Sequence, residues 1–163
     1  MNLTLEELTR YTNEEREKWR AWLTAHPDAM QLEVQPHPAR YSSVGSLVDH
    51  IFLVERRHVQ RLQDAKPDDK TGLSGHHVQP LFDYGASVRR EFEQFAEDLD
   101  PDVANEVRTF TVATGTFQLT PRKLLFHCLL HETRHWAQIA LAIRRAGLEP
   151  PGNHDLFFSK ALR

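Results

Sequence analysis

Cysteine is almost missing from this 163-residue chain: there is one, Cys128. No internal disulfide can form, so nothing points to an oxidising compartment. Long apolar runs are missing too. None reaches the roughly 18 residues that read as a membrane-spanning helix, and the opening MNLTLEELTR has no basic-then-apolar leader pattern. Nor does either sign of charge prevail. With 20 basic and 23 acidic residues, the formal net charge of −3 gives no global field favouring nucleic acid or an anionic membrane. Internal repeats and low-complexity stretches are absent. The expectation is a cytoplasmic protein of one domain, residues 1–163, with neither nucleic acid nor membrane as partner, and any ligand must be argued from a site. What is abundant is histidine, ten in all.

The stretch around which the chain is read is TPRKLLFHCLLHETRHWAQIALAIRRAG, Thr120 to Gly147. A threonine hydroxyl can cap the orphan amides of a helix start, proline suits the first helical position, and Gly147 is a natural stop. At 100° per residue, Leu124, Cys128, His131, His135, Gln138, Ala142 and Ala146 fall within about 80° of arc, which puts both histidines in the middle of the predicted buried face. Buried imidazoles need partners. Four residues apart, about 6 Å along the axis, and leaning one way, they suit two bonds to one metal ion. Side-chain partners in the core are the alternative.

Upstream, Thr4 with Glu7 reads as a capping box, and helical spacing of Leu5, Leu8, Tyr11, Thr12, Glu15, Trp19, Trp22 and Leu23 predicts a first helix over about Leu5 to Ala25. Glu15 lies on the inner stripe but, between Glu14 and Glu17, reads as solvated. The proline-bearing segment that follows reads as a loop, and His37 is given no role. A second helix opens at Ser42 or Ser43, with Val44, Leu47, Val48, Ile51, Val54, His58 and Leu62 on one arc. His50 stands at its edge, placed to point into a bundle centre and complete a three-histidine set with His131 and His135, leaving open metal positions for solvent or substrate.

Asp64 to Gly75 reads as a loop, with His76 and His77 near a bundle mouth. A third helix is predicted over about Pro80 to Leu99, with Leu81, Tyr84, Val88, Phe92, Phe95 and Leu99 in its stripe. The threonine-, valine- and phenylalanine-rich stretch around Thr114-Gly115-Thr116 is the one strand signal. Beyond Gly147, Pro150 and Pro151 break the helix; Asp155 is placed to cap a last turn, Leu156 to Leu162, whose aromatic residues need the bundle or a second subunit to cover them. The predicted fold class is all-α: an up-down four-helix bundle with a short β-hairpin or extended insertion before the last long helix.

Three parts of the sequence together resemble the DinB-like (DinB/YfiT) family of bacterial four-helix-bundle metalloenzymes, over essentially the whole chain. These are SSVGSLVDHIFLVE, with its serine start, histidine and glutamate five residues on; HETRHWAQIALAIRRAG, with HxxxH, a glutamine and an Arg-x-x-Gly ending; and the Pro-Pro, Asp, Phe tail. The resemblance implies a divalent metal, zinc or nickel, on His50, His131 and His135, in a homodimer whose site opens at one end of the bundle. It also implies thiol-dependent chemistry on a small molecule, S-transfer or isomerisation with a low-molecular-weight thiol cosubstrate. Trp136 and Ala137 depart from the family's usual arginine or histidine and glycine.

A metal held by three neutral imidazoles keeps its full charge and so acidifies a bound water or thiol. Glu132, inside the HExxH pattern His131-Glu132-Thr133-Arg134-His135, is the candidate catalytic base; the alternative is support of a ligand histidine. Gln138 has a similar choice between site and core. Three rival readings remain. A zincin-like hydrolase would need Glu149, His154 or Asp155 as a further ligand. A di-iron carboxylate bundle would use Glu55-x-x-His58 and Glu132-x-x-His135 with Glu15 and Glu91. The third is a non-catalytic metal- or ligand-binding stress-related bundle.

Overall fold

A computed structural model describes residues 2–34, 41–73, 76–112 and 114–161. The structure is mostly helical with one small antiparallel hairpin. Four long helices, α1 (Leu5–Ala25), α2 (Val44–Leu62), α3 (Val78–Asp98) and α5 (Pro121–Arg145), are joined by a short helix α4 (Pro101–Asn105) and the hairpin β1 (Arg108–Val112) and β2 (Gly115–Leu119). Helix α2 packs chiefly against α3 and α5, and α1 packs against the same two from the other side. Each long helix therefore has two others as principal neighbours, and side chains from all four can meet at the centre.

Local chemistry sets the helix ends. The Thr4–Glu7 capping box is complete, with the Glu7 amide donating to Thr4 Oγ1 at 3.1 Å and the Thr4 amide to Glu7 Oε2 at 2.8 Å. Ser43 and Ser46 form the same reciprocal pair at the start of α2. Thr120 accepts from the Lys123 amide at 3.1 Å, with Pro121 as the first residue of α5. At its other end the amides of Gly147 and Leu148 donate to Arg144 and Ile143, and Gly147 adopts φ +79°. This is the left-handed stop that glycine tolerates without a Cβ clash.

Several boundaries differ from the sequence reading. Asp100 caps α4 through two amides, so the chain beyond Pro101 makes another helical turn. A 3-10 turn, Pro27–Gln31, occupies part of the expected loop and buries Ala29 and Met30. The last turn is only Leu156–Phe158, and Asp155 makes no side-chain cap. Phe157 is 89% exposed. The tail reaches α1 through main-chain atoms, with Tyr11 Oη donating to the His154 carbonyl at 2.6 Å and Lys18 Nζ to that of Asn153 at 2.7 Å, and through the side chains of His154 and Ser159 rather than through its phenylalanines. His37, Gly75 and Leu162 lie outside the described residues.

The apolar core forms two clusters. One is built around Trp19, Phe52, Phe82, Trp136 and Ile139, and the other around Leu8, Val59, Phe92, Phe110, Leu125 and Leu129. The buried face of α5 runs through Leu125, Leu129, Glu132, Trp136, Ile139 and Ile143. Relative to the predicted stripe the face is rotated: Ala146 is exposed and His131 half-buried. The histidines thus line the edge of the core, where a cleft can reach them.

Candidate metal centre

His131 and His135 sit one helical turn apart on α5, and α2 brings His50 to the same point. His131 Nε2 lies 3.0 Å from His135 Nε2 and 3.3 Å from His50 Nε2. All three ligand atoms fall within 4.8 Å of one another. Imidazoles bound tetrahedrally at 2.0–2.1 Å would have their nitrogens about 3.3 Å apart, so the spacing fits one shared ion. Tyr41 packs on the His50 ring, with centroids 4.0 Å apart.

The tautomer of His135 follows from its neighbour. Its Nδ1 is 2.6 Å from Gln138 Oε1, an oxygen that can only accept, so Nδ1 carries the proton and Nε2 presents its lone pair to the centre. Burial, then the neighbouring His135, His50, His127 and Arg134, pushes the His131 pKa down to about 2. Burial also lowers that of His135, against the opposing effect of the Gln138 bond. Neutral imidazoles are what a metal requires.

Glu132 points elsewhere. Its carboxylate accepts from Arg16 Nε at 2.6 Å and Nη2 at 2.7 Å, from Arg89 Nη2 at 2.7 Å and from Trp136 Nε1 at 3.0 Å. Glu55 accepts from Arg89 Nε at 2.9 Å and Nη2 at 3.0 Å, and from Arg16. Arg16, Glu55, Arg89 and Glu132 come from α1, α2, α3 and α5, one each, and all are buried. Burial alone would lower the Arg16 pKa and raise that of Glu55; the opposite charges outweigh it and move both toward the ionised form. The sequence reading missed the arginines. Yet each of the four lies among the apolar positions of its own helix, Arg16 between Thr12 and Trp19 and Arg89 between Gly85 and Phe92, and two positive with two negative charges at core positions is a signal of pairing.

A cleft of about 190 Å³ opens beside the histidines, with His50 and His131 at one end. Arg57, His58 and Arg61 of α2, His127 of α5 and Val112 and Thr114 of the hairpin line the remainder. Arg61 Nε donates to the Thr111 carbonyl at 2.9 Å, pinning the hairpin over it. His58 is buried with its Nδ1 unpartnered, and burial, then Arg61, His127 and Arg57, pushes its pKa down to about 3.

The remaining candidates are placed apart from the triad. Glu15, read as solvated, is buried, bonded to His154 Nδ1 and to Lys18 Nζ, the latter at 2.7 Å. His154 stacks on Trp19 at 5.1 Å. Glu91 pairs with Arg56 near the surface. Glu55 and Glu132 share two arginines while Glu15 and Glu91 pair elsewhere, so the four carboxylates of the di-iron reading do not converge, and His154 faces Glu15 rather than the HExxH turn. Cys128 is buried, and burial pushes its thiol pKa well above the usual value, against a nucleophilic role.

A helical scaffold carrying three convergent imidazoles defines the class: a protein with a candidate three-histidine metal centre. The chain belongs to the DinB family, whose sequence profile matches residues 1–161. No curated protein matches it. Among the described residues, no helix is long and apolar enough to cross a membrane.

Proposed function

We propose that this chain is a metal-dependent enzyme of the DinB type, an up-down four-helix bundle in which His50, His131 and His135 hold one divalent ion, zinc or nickel, and a low-molecular-weight thiol is activated for S-transfer. One observation carries the reading. Ligand nitrogens of three histidines from two helices lie within 4.8 Å of one another, with the His135 proton fixed on its far nitrogen by Gln138. When bound, the ion would supply the positive charge that acidifies a thiol or water at neutral pH. The chain's own residues do the rest. Gln138 orients His135, Tyr41 covers His50, and the hairpin forms one wall of the cleft. Glu132 serves here as a charge of the buried core, because its oxygens accept from two arginines and an indole rather than from a ligand histidine.

Metal analysis after equilibration with zinc or nickel should give one ion per chain, falling well below one in each of His50→Ala, His131→Ala and His135→Ala. Full occupancy in any of these variants removes that residue from the ligand set. The metal-loaded protein, incubated with small thiols and a panel of electrophiles, should consume thiol. No consumption with either metal would overturn the transferase reading and leave a metal-binding protein. A homodimer is part of the same proposal: Leu130 and Leu141, 57% and 48% exposed on α5, offer the apolar surface such a contact would cover. Light scattering of the purified chain decides it.

A further inference from the structure

The cleft beside the triad contains more than the metal ligands require. Arg57 and Arg61 lie one turn apart on α2 and both line it. Like charges at this spacing repel. Among the described residues neither arginine has an ion-pair partner. Arg57 donates to the main-chain carbonyls of Asp68 and Asp69, each at 2.6 Å, and Arg61 to that of Thr111. The carboxylate of Asp68 faces Arg56. Among the described residues no aspartate or glutamate lines the cleft. His58, only 7% exposed, also lines this space, with its unpartnered Nδ1 enclosed in the protein. Elsewhere the fold neutralises its buried arginines two against two, as Arg16 and Arg89 show with Glu55 and Glu132. The cleft arginines are left with neutral acceptors.

We infer that this cleft receives the carboxylate end of the substrate, gripped by Arg57 and Arg61, while the reacting atom lies at the His50–His131 end. The inference rests on the metal reading above and names the substrate class of the same site: a small molecule with a carboxylate a few bonds from its reacting group. Guanidinium is the group that meets a carboxylate through two parallel bonds.

The test uses two thiols that differ only in charge, 3-mercaptopropionate and 3-mercaptopropionamide, titrated into the cobalt-loaded protein while the thiolate-to-cobalt absorption band is followed. The anionic thiol should bind about 10- to 100-fold more tightly, the size of a charged hydrogen-bonded contact. Arg57→Gln and Arg61→Gln should each erode that preference by weakening the anionic thiol more than the amide, and Arg61→Lys, which keeps the charge, should retain part of it. Circular dichroism verifies that the variants fold. Equal affinities in the unaltered protein, or a preference that survives both Gln substitutions, overturns the inference. Failure to take up cobalt counts against the metal reading instead. In that case the same two thiols, titrated calorimetrically into the metal-free protein, decide the charge preference: a preference lost in the Gln variants supports the arginine site, and none refutes it.

Discussion

Glu132 follows His131 in the chain, and consecutive helical residues point about 100° apart. When His131 faces the cleft, Glu132 is turned into the core, where Arg16 and Arg89 meet it. Glu132→Gln therefore leaves two buried guanidinium groups short of one negative charge. It is expected to destabilise the fold by about 3–5 kcal/mol, the usual cost of breaking a buried pair on one side, while metal stoichiometry stays at one in whatever fraction remains folded. Urea unfolding together with metal analysis checks both. Loss of turnover with unchanged stability would instead make Glu132 the base. Gln138→Leu should weaken metal binding about 10- to 100-fold, because losing an outer hydrogen bond frees the His135 ring and its tautomer. Competition with a chromogenic chelator measures that.

Among the elements, the contact between α2 and α3 depends on a missing side chain. A Cβ on Gly85 would sit 2.8 Å from the Phe52 ring, which is itself enclosed by Phe82 and Trp136. Alanine would gain up to about 1 kcal/mol of helix propensity. Overpacking a rigid ring typically costs about 1–3 kcal/mol, so Gly85→Ala should be destabilising overall. A melting temperature raised by this substitution would show that the helices have room to separate. Helix α5 illustrates how pattern and packing can diverge. The HxxxH spacing shows that two imidazoles share a side, but the wheel placed them mid-stripe because Cys128, Ala142 and Ala146 are apolar. Cys128 and Ala142 are indeed buried, but Ala146 is exposed, since a small residue loses little by facing water. The larger Leu125, Leu129, Trp136 and Ile139, which have more area to bury, set the actual face.

In the molecule as a whole, stability should depend on acid and on metal. His58 and His131 have folded pKa values depressed to about 3 and about 2 from 6.5. Above pH 6.5 neither state is protonated there. Below it the unfolded chain takes up protons that the folded chain refuses, so stability falls with falling pH by at most about 1.4 kcal/mol per unit for each histidine, down to the folded values. Chelator-treated protein should lose denaturation midpoint steadily from pH 7 to pH 5, and His58→Leu should flatten that slope. An unchanged midpoint would contradict burial of neutral imidazoles. A divalent ion at a hundred times its dissociation constant should add about 2.7 kcal/mol, read as a raised melting temperature.

The caps at Thr4, Ser43 and Thr120, the stop at Gly147, the hairpin position, the long helices and the His131–His135 pair were legible in the sequence, because each rests on short-range chemistry: a hydroxyl three residues before its amide, a glycine free to turn left-handed, imidazoles one turn apart. The partners of the buried charges were not. Arg16, Glu55, Arg89 and Glu132 are spread over 117 positions of a 163-residue chain and meet only after four helices have packed. The same is true of Glu15 with His154, and of Arg57, His58 and Arg61 forming a cleft with the hairpin. Local spacing fixes which side chains share one helix face. Which opposing groups a buried charge finds is decided by packing alone, since the Coulomb attraction and the loss of water that make such a pair matter arise only when distant elements close around it.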